Sequence, residues 1–436
     1  MRTTSIPAAL PFFPLIPGPR CHQPKFRSAG QPETRRPLTT SATLRYLAPS
    51  PEDAAKPVPA RKPPLPALSG IRTLLAIFIL LFHFTPPHVD FLHPVIDNSF
   101  IFVGTFFLIS GFILTYNYDG RATTLSKRGF WLARFARLYP TYAFVLLLST
   151  PLLVDEWQAR PHAEFWTGLL VTPLLLQGWS PSLATFWNTV AWTLSADLVL
   201  YLLFPYILRV WADRGSFLNT PSRLVGVILA LWLIGLSPHT YYQFTNPDHL
   251  SAPADRFTAT MWMRMLKYTP AAYLCTFLAG VTLAKLHAIV SVTARLRFAM
   301  SATALAAIVA FFYLGAAHVP YVIVHGALLL PFFCLLVLGL SGPNPIASVF
   351  AFQPLVVLGE ATFALYLLHF NVFELIHVYH LPERLHLVAL DPWISYLFII
   401  GLAYATVRLV ERPMQRRILG RYGRPAVPVR PSPESA

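Results

Sequence analysis

The 436-residue chain is 55% hydrophobic and only 12% charged, and its mean hydropathy is +0.52. Soluble globular proteins carry about a quarter charged residues, so this composition excludes an ordinary soluble domain and indicates a polytopic membrane protein. The net charge of +15 does not indicate a nucleic-acid-binding protein, because the basic residues lie in clusters between apolar segments, and the three widely spaced cysteines form neither a disulfide framework nor a metal-binding motif.

A proline-rich basic tail precedes the apolar part of the chain. Residues 1–66 contain fifteen of the 41 prolines and ten of the 34 lysines and arginines, without a sustained apolar pattern. Such a segment cannot bury enough apolar surface to fold, so we expect it to be disordered. We expect the same of a short C-terminal tail, residues 416–436, which leaves residues 67–415 as the membrane domain.

Eleven apolar segments between the tails are candidates for membrane helices. In chain order they are 68–86, 99–118, 139–155, 163–179, 187–212, 222–238, 268–288, 297–316, 320–340, 355–380 and 391–410.

The distribution of basic residues limits how many of these segments cross the membrane. The loop at 119–140 contains five lysines and arginines, whereas residues 85–99 contain none. The loop at 119–140 is therefore predicted to be cytoplasmic. The clusters of basic residues later in the chain also lie on the cytoplasmic side only if residues 139–208 cross the membrane twice rather than three times. One segment there is therefore re-entrant or interfacial, and 163–179, near the lower length limit for a span, is the first candidate. We predict an all-α bundle of about ten transmembrane helices with both termini cytoplasmic.

The first apolar segment contains an arginine and a histidine, Arg72 and His83. They are eleven residues apart, which is about three helical turns, so they share one helix face about 16 Å apart. Pro86 and Pro87 end the helix just beyond His83. Charged groups in the bilayer are costly, so this face is predicted to turn toward a polar interior. Alternatively, Arg72 reaches the headgroups and His83 bonds a neighbouring helix.

Three later segments also place ionisable residues in apolar surroundings. Asp197 lies about ten residues inside the fifth apolar segment, where it is either functional or the structural partner of an arginine. His369 lies in the tenth segment, where it is either functional or bonded to a neighbouring helix. Near the end of the last segment, Arg408, Glu411 and Arg412 are expected to form an interfacial ion pair.

Six short motifs follow one another in order between residues 68 and 413. They read "LSGIRTLLAIFILLFHF", "FFLISGFIL", "ARFARLYP", "WTLSADLVLYLLFP", "TFALYLLH" and "ERP". In this the chain resembles the membrane-bound acyltransferase 3 family, whose typical motifs are "LDGLRGIAALLVVLFHF", "FFVLSGFLI", "RRxxRLYP", "WSLSVEEQFYLLFP", "SYSLYLLH" and "ERP". Each motif alone is weakly specific, whereas six in order are strongly specific. The resemblance implies ten helices, in agreement with the charge distribution.

The resemblance also implies a reaction. It is the transfer of an acyl group, often acetyl, from an acyl-CoA to a hydroxyl of a carbohydrate, lipid-linked glycan or small metabolite. A neutral imidazole suits removal of the hydroxyl proton, and His83 is our candidate base. His369 is a second candidate base or a partner. Asp197 is a candidate to fix the tautomer of a histidine and stabilise its imidazolium.

The donor acyl-CoA is the expected co-substrate, most simply acetyl-CoA, and no metal is expected. Arg72, Arg134 and Arg137 are candidates to bind its phosphates, for which guanidinium groups are well suited. An alternative is that Arg134 and Arg137 only set the topology. Two departures from the family motifs affect the site: Ser69 replaces an aspartate, and Asp197 replaces a glutamate, which shortens the side chain by one methylene.

The composition and the motifs predict the partners and the location of the protein, and they leave alternative functions open. The expected partners are the lipid bilayer, acyl-CoA and a hydroxyl-bearing acceptor, with no nucleic acid. The expected location is the plasma (inner) membrane if the host is bacterial. One rival is a transporter or flippase that uses the buried histidine, aspartate and arginine residues as a proton or substrate relay. Another is a degenerate family member with a structural or binding role.

Overall fold

The computed structural model describes residues 62–213 and 218–422 of the chain. Within these residues every regular element is helical and no strand is present, as the all-α prediction requires. Most of the two tails expected to be disordered lies outside the described residues. The tail boundary at residue 416 was wrong, because the last helix continues to Tyr422. Its final turns carry Arg416, Arg417 and Arg421, exposed basic residues that suit a helix leaving the membrane.

Ten segments are candidates for membrane spans by length and composition. Eight are single helices, and two are long and apolar enough only together with a neighbouring helix across a bend. In chain order they are α1 (Pro66–His83), α2 (Ile101–Arg121), α3 (Lys127–Leu148), α4 (Trp192–Ala212), α5 (Pro221–Thr245), α6 (Pro270–Ile289), α7 (Ala294–His318), α8 (Tyr321–Leu340), α9 (Thr362–Val378) and α10 (Trp393–Tyr422). The bent pairs are α3 with Thr150–Ala159, at 54°, and Gln353–Gly359 with α9, at 71°. The prediction of about ten helices is confirmed.

The region between α3 and α4 does not form a further span. Its helix His162–Val171 has only 10 residues and is followed by turns and a short 3-10 helix. This agrees with the expectation that 163–179 is not a full crossing.

Helix α3 begins twelve residues earlier than the sequence prediction, which placed residues through 140 in a loop. Ser126 starts the helix, because its side chain accepts a hydrogen bond from the Gly129 amide at 3.3 Å. Pro140 lies inside the helix and is buried. As a result, Arg134 and Arg137 lie on a helix that faces the interior of the bundle.

Hydrogen bonds between helices group the helix ends into two sets. The Tyr116 hydroxyl, near the end of α2, donates to the Pro63 carbonyl, just before α1, at 3.0 Å. The Tyr396 hydroxyl, near the start of α10, donates to the Phe84 carbonyl, just after α1, at 2.5 Å. We call these the first end and the second end of the bundle. The ten spans alternate in direction between them.

Helices α2 and α6 pack closely through two glycines. A Cβ on Gly111 would lie 2.2 Å from the Phe277 carbonyl oxygen, and one on Gly280 would lie 2.1 Å from the Leu108 carbonyl oxygen. Small residues let membrane helices approach each other in this way. The contact fixes α2, which carries Ser110 into the cavity described next.

Candidate functional site

A cavity of about 150 Å³ with both apolar and charged residues in its lining lies among helices α1, α2, α3, α4 and α9. Its charged and hydroxyl-bearing lining consists of Arg72, Ser110, Arg134, Arg137, Thr193, Asp197, Tyr201, Thr362 and Tyr366. The structure therefore brings together four of the six residues that the sequence singled out, although they come from three different helices.

The cavity has an excess of positive charge. Three guanidinium groups and one carboxylate face it, which gives a formal charge of +2. Among the described residues no carboxylate lies within 4.0 Å of Arg72, Arg134 or Arg137, and the buried Nε of Arg134 has no hydrogen-bond partner. Unpaired guanidinium groups around a cavity are the arrangement that binds phosphate or carboxylate anions.

Asp197 lies with these arginines and not with the histidines. Tyr201, one turn further along α4, interacts with the Asp197 carboxylate and with Ser110 of α2. Among the described residues no hydrogen bond joins Asp197 to His83 or His369. The geometry thus differs from our expectation that Asp197 would orient a histidine directly, because the carboxylate is turned toward the cavity.

His83 and His369 form a pair next to this cavity. The Nδ1 of His83 lies 3.2 Å from the Nε2 of His369, although the two residues are 286 positions apart. His83 Nδ1 also lies 2.9 Å from the Ile79 carbonyl oxygen, and His369 Nδ1 lies 2.6 Å from the Tyr366 carbonyl oxygen.

These contacts assign the protons of the neutral pair. A carbonyl oxygen can only accept, so Nδ1 carries the hydrogen in each ring. His369 Nε2 then accepts from His83, and the lone pair of His83 Nε2 remains free of a protein partner among the described residues. His369 is almost fully buried, at 1% exposure, whereas His83 is only partly buried. His83 is the better placed of the two to take a proton.

Aromatic rings surround the pair. The His83 ring lies 5.1 Å from Phe82 and 5.3 Å from Phe370, both edge to face. The Arg256 guanidinium covers the outer Phe82 ring at 5.2 Å. Such packing restricts access of water to the imidazoles.

The pair lies between the cavity and a second opening. Along α9, Thr362 and Tyr366 line the cavity, His369 follows one turn later, and Phe370 and Glu374 line a groove of about 560 Å³ toward the second end. Helix α1 has the same order, with Arg72 at the cavity and His83 beyond it. The histidines therefore separate two openings.

The last motif does not form the ion pair that we expected among its own residues. Arg412 pairs instead with Glu360, and Arg408 donates to the Tyr404 hydroxyl at 2.7 Å. Glu411 is buried and accepts a hydrogen bond from the Thr141 hydroxyl at 3.4 Å. The motif thus connects α10 to α3 by a hydrogen bond and to the start of α9 by an ion pair.

Sequence reasoning missed Tyr201 and Tyr366, which line the cavity beside Asp197 and His369. Both lie within motifs of the resemblance, which was the available signal. No group of three or more histidine, cysteine or acidic residues in the described part of the chain has the geometry to hold a metal ion.

Comparisons with known proteins identify the family. The profile of the acyltransferase 3 family, described as an acyltransferase domain, matches residues 65–410. The chain is 30% identical to acyltransferase MdmB of Streptomyces mycarofaciens over 164 residues, which cover 35% of this chain and 41% of that protein. It is 19% identical to O-acetyltransferase OatA of Staphylococcus aureus over 380 residues, which cover 81% of this chain and 57% of that protein.

A third relative, protein 2 in the picA locus of Rhizobium radiobacter, is 32% identical over 177 residues, covering 35% of this chain and 85% of that protein. The matches span less than two thirds of MdmB and of OatA. No solved structure matches the chain significantly. The match over residues 65–410, together with the histidine pair and the motifs around it, shows that this multi-pass membrane protein belongs to the acyltransferase 3 family.

Proposed function

We propose that the protein is a membrane O-acyltransferase that moves an acyl group, most simply acetyl, from acyl-CoA to a hydroxyl of a carbohydrate, lipid-linked glycan or small metabolite. The observation that carries this proposal is the histidine pair, in which His83 keeps a free Nε2 and His369 contacts Tyr366, a residue that lines the cavity with the three arginines. The family membership and the names of the relatives MdmB and OatA support the reaction class.

Arg72, Arg134 and Arg137 would bind the phosphates of the donor. Their unpaired guanidinium groups and the partnerless Nε of Arg134 suit a polyanion, and a cavity without such an anion would leave them poorly compensated. The reacting thioester of CoA lies far from its phosphates, at the end of the extended pantetheine arm. This separation suits a site in which Arg72 and His83 lie about three helical turns apart on α1.

The acyl transfer follows from the assigned protons. His83 Nε2 takes the proton of the acceptor hydroxyl as its oxygen attacks the thioester carbonyl carbon. A C–O bond forms, the C–S bond breaks, and the proton passes to the departing thiolate, so the products are an ester and free CoA. The Nε2 of His369 accepts a hydrogen bond from the Nδ1 of His83. This bond holds the His83 ring and orients the His83 Nε2 toward the substrates.

We place the first end of the bundle in the cytoplasm, with both chain termini on that side. Arg128, Arg134, Lys285 and Arg412 are among the basic residues near this end, as the positive-inside rule requires. The cavity for acyl-CoA then lies toward the compartment that contains acyl-CoA. In a bacterial host the membrane would be the plasma membrane.

The test is acyl-CoA turnover, measured as free-thiol release in purified membranes that are supplied with pools of hydroxyl-bearing acceptors. His83→Ala should reduce turnover to background at matched expression, because it removes the base. His287→Ala, a partly buried histidine on α6 outside the site, should keep parental turnover. Equal turnover in the parent and in His83→Ala would exclude His83 from the reaction. No turnover in the parent with any donor or acceptor would favour transport instead.

A further inference from the structure

The groove at the second end contains polar atoms without partners. It has a volume of about 560 Å³, and Trp187, Phe370 and Asn371 form part of its lining. Asn371 is 2% exposed; its Nδ2 donates to the Trp187 carbonyl at 2.7 Å, but its Oδ1 has no partner. The buried Nε1 of Trp187 has none either. One unpaired acceptor and one unpaired donor on two residues that line the same groove suit ligand hydroxyl groups, which both donate and accept.

The groove is also acidic. Its lining carries four carboxylates and two guanidinium groups, a formal charge of −2. Arg160 pairs with Glu156 and Glu164. Asp155 and Glu374 have neither an ion pair nor a hydrogen bond among the described residues, and the Asp155 carboxylate acts on Glu374 as a like charge, whereas the nearby His377 acts in the opposite sense. A cation bound in the groove would be attracted by both carboxylates.

A single aromatic ring lies between the groove and the histidine pair. Phe370 lines the groove, and its ring lies 5.3 Å from the ring of His83. The arginine cavity approaches the same pair from the other side, through Tyr366. A ligand in the groove is thus close to the base without competing for the space of the phosphates.

We propose that this groove binds the hydroxyl-bearing acceptor and selects for a positively charged one, such as an amino sugar, over neutral or anionic ones. The proposal rests on the proposed acyl transfer. The Trp187 indole and the Asn371 amide recognise hydroxyl groups, a combination of apolar ring and polar groups that suits a sugar. Asp155 and Glu374 provide the preference for positive charge.

Binding of three tetrasaccharides to the purified full chain, without acyl-CoA, tests this proposal. The probes are a glucosamine tetramer, which is cationic at slightly acidic pH, an N-acetylglucosamine tetramer, which is neutral, and a galacturonic acid tetramer, which is anionic. Calorimetric titration with EDTA present prevents a divalent cation from occupying the carboxylates. We expect the cationic probe to bind about tenfold more tightly than the neutral one and the anionic probe to bind least.

Two variants separate charge from hydroxyl recognition. Asp155→Asn combined with Glu374→Gln should bring the cationic and neutral probes to within about twofold of each other. Trp187→Phe should weaken both probes about fivefold and leave their ratio unchanged, because it removes only the donor. Glu383→Gln, an exposed carboxylate just beyond α9 and outside the groove lining, is the matched control and should bind as the parent does.

Three results would overturn the proposal: no binding of any probe by the parent, equal affinity for all three, or a parental charge preference in the double variant. Failure of the proposed acyl transfer is a separate outcome, because binding is measured without the donor. Charge-selective binding together with no thiol release would support the proposed ligand of the groove and contradict the proposed acyl transfer. Thiol release without probe binding would do the opposite.

Discussion

Two histidines that look equivalent in the sequence have different surroundings. His369 Nδ1 is bonded to a backbone carbonyl and its Nε2 to His83, so both of its nitrogens are occupied. His83 keeps one free nitrogen. This difference supports our proposal that His83 is the base and that His369 positions it.

Replacing His369 tests the positioning role. In our assignment its Nε2 accepts a hydrogen bond from His83, and the amide oxygen of His369→Gln retains an acceptor there, which His369→Leu does not. His369→Leu should lower kcat for acyl-CoA turnover about a hundredfold with little change in KM, and His369→Gln should recover part of that loss. Steady-state kinetics in membranes measures both constants. Equal losses in the two variants would argue against a hydrogen-bonding role.

Arg134 offers a test of the donor site. Arg134→Met keeps the length of the side chain but removes a guanidinium group that faces the cavity. A lost charge-assisted hydrogen bond costs about 1.5–3 kcal/mol, so the KM for acyl-CoA should rise roughly ten- to a hundredfold.

The matched control for this change is Arg128→Met, which alters an exposed arginine of the same helix outside the cavity lining. It should leave KM unchanged. A similar rise of KM in both variants would indicate a general loss of positive charge and would remove Arg134 from the donor site.

The sequence revealed the types of residue in the site more fully than their arrangement. Arg72, His83 and Asp197 stood out because ionisable groups are rare in membrane helices. Tyr201 and Tyr366 did not, because tyrosine is common in apolar helices and at their ends. The contact of His83 with His369 was also out of reach, because it depends on how α1 packs against α9.

At the level of elements, the apolar segments were predicted well and the bends were not. The segment at 355–380 was expected as one helix, but it is broken into Gln353–Gly359 and α9, which meet at 71°. Apolar content is the same on both sides of a bend, so hydropathy does not detect it. Gly359 at the break lies against the backbone of Ser69, where a Cβ would be 2.7 Å from the carbonyl oxygen. Packing against α1, rather than local sequence, accounts for the break.

The close contact of α2 and α6 gives a stability prediction. Gly111→Ala places a methyl group against the Phe277 backbone and should lower the free energy of unfolding by about 1–3 kcal/mol. Gly104→Ala on the same helix meets no atom within 4 Å and should be neutral or slightly stabilising. Thermal unfolding of the two purified variants measures the difference. A destabilised Gly104→Ala or an unaffected Gly111→Ala would contradict this account of the helix contact.

The loop between α5 and α6 gives a prediction about pH. Partial burial alone would raise the pKa of Asp248, but hydrogen bonds from the Thr260 and Tyr242 hydroxyls and from the Trp262 and Met263 amides outweigh it, so the pKa lies below its ordinary value of 3.8. A carboxyl group with a lowered pKa stabilises the folded state above that range, and the stabilisation is lost as the pH falls through it.

Asp248→Asn should therefore be less stable than the parent near neutral pH, and the difference in melting temperature should shrink between about pH 5 and pH 3. Asp90→Asn, a highly exposed carboxylate at the same end of the bundle, provides the control and should show almost no difference at either pH. A difference that stays constant with pH would mean that Asp248 stabilises the loop by shape and not by charge.

For the whole molecule, the number of crossings decides which openings face the same compartment. With ten crossings, Arg128 and Glu383 lie on opposite sides of the membrane, and Glu164 lies on the side of Glu383. A third crossing within residues 139–208 would place Arg128 and Glu383 on the same side.

Cysteines introduced singly at these three positions test the arrangement with a membrane-impermeant maleimide. In intact cells, Glu164→Cys and Glu383→Cys should be labelled, and Arg128→Cys should be labelled only after permeabilisation. Cys275 and Cys334, at least half-buried in the bundle, remain in the background, with Cys21→Ser to remove the third thiol. Labelling of Arg128→Cys and Glu383→Cys under the same condition would reject the ten-crossing topology.

The position of the histidine pair between two separate openings also has a consequence for the kinetics, because it leaves the order of substrate binding free. In our proposal acyl-CoA occupies the arginine cavity and the acceptor occupies the groove, so each can bind while the other is present, and neither has to leave first. Free CoA should then compete with acyl-CoA but not with the acceptor, and the ester should compete with the acceptor but not with acyl-CoA. A bundle with two openings and one base between them predicts random sequential kinetics, in which each product competes only with the substrate that binds in the same opening.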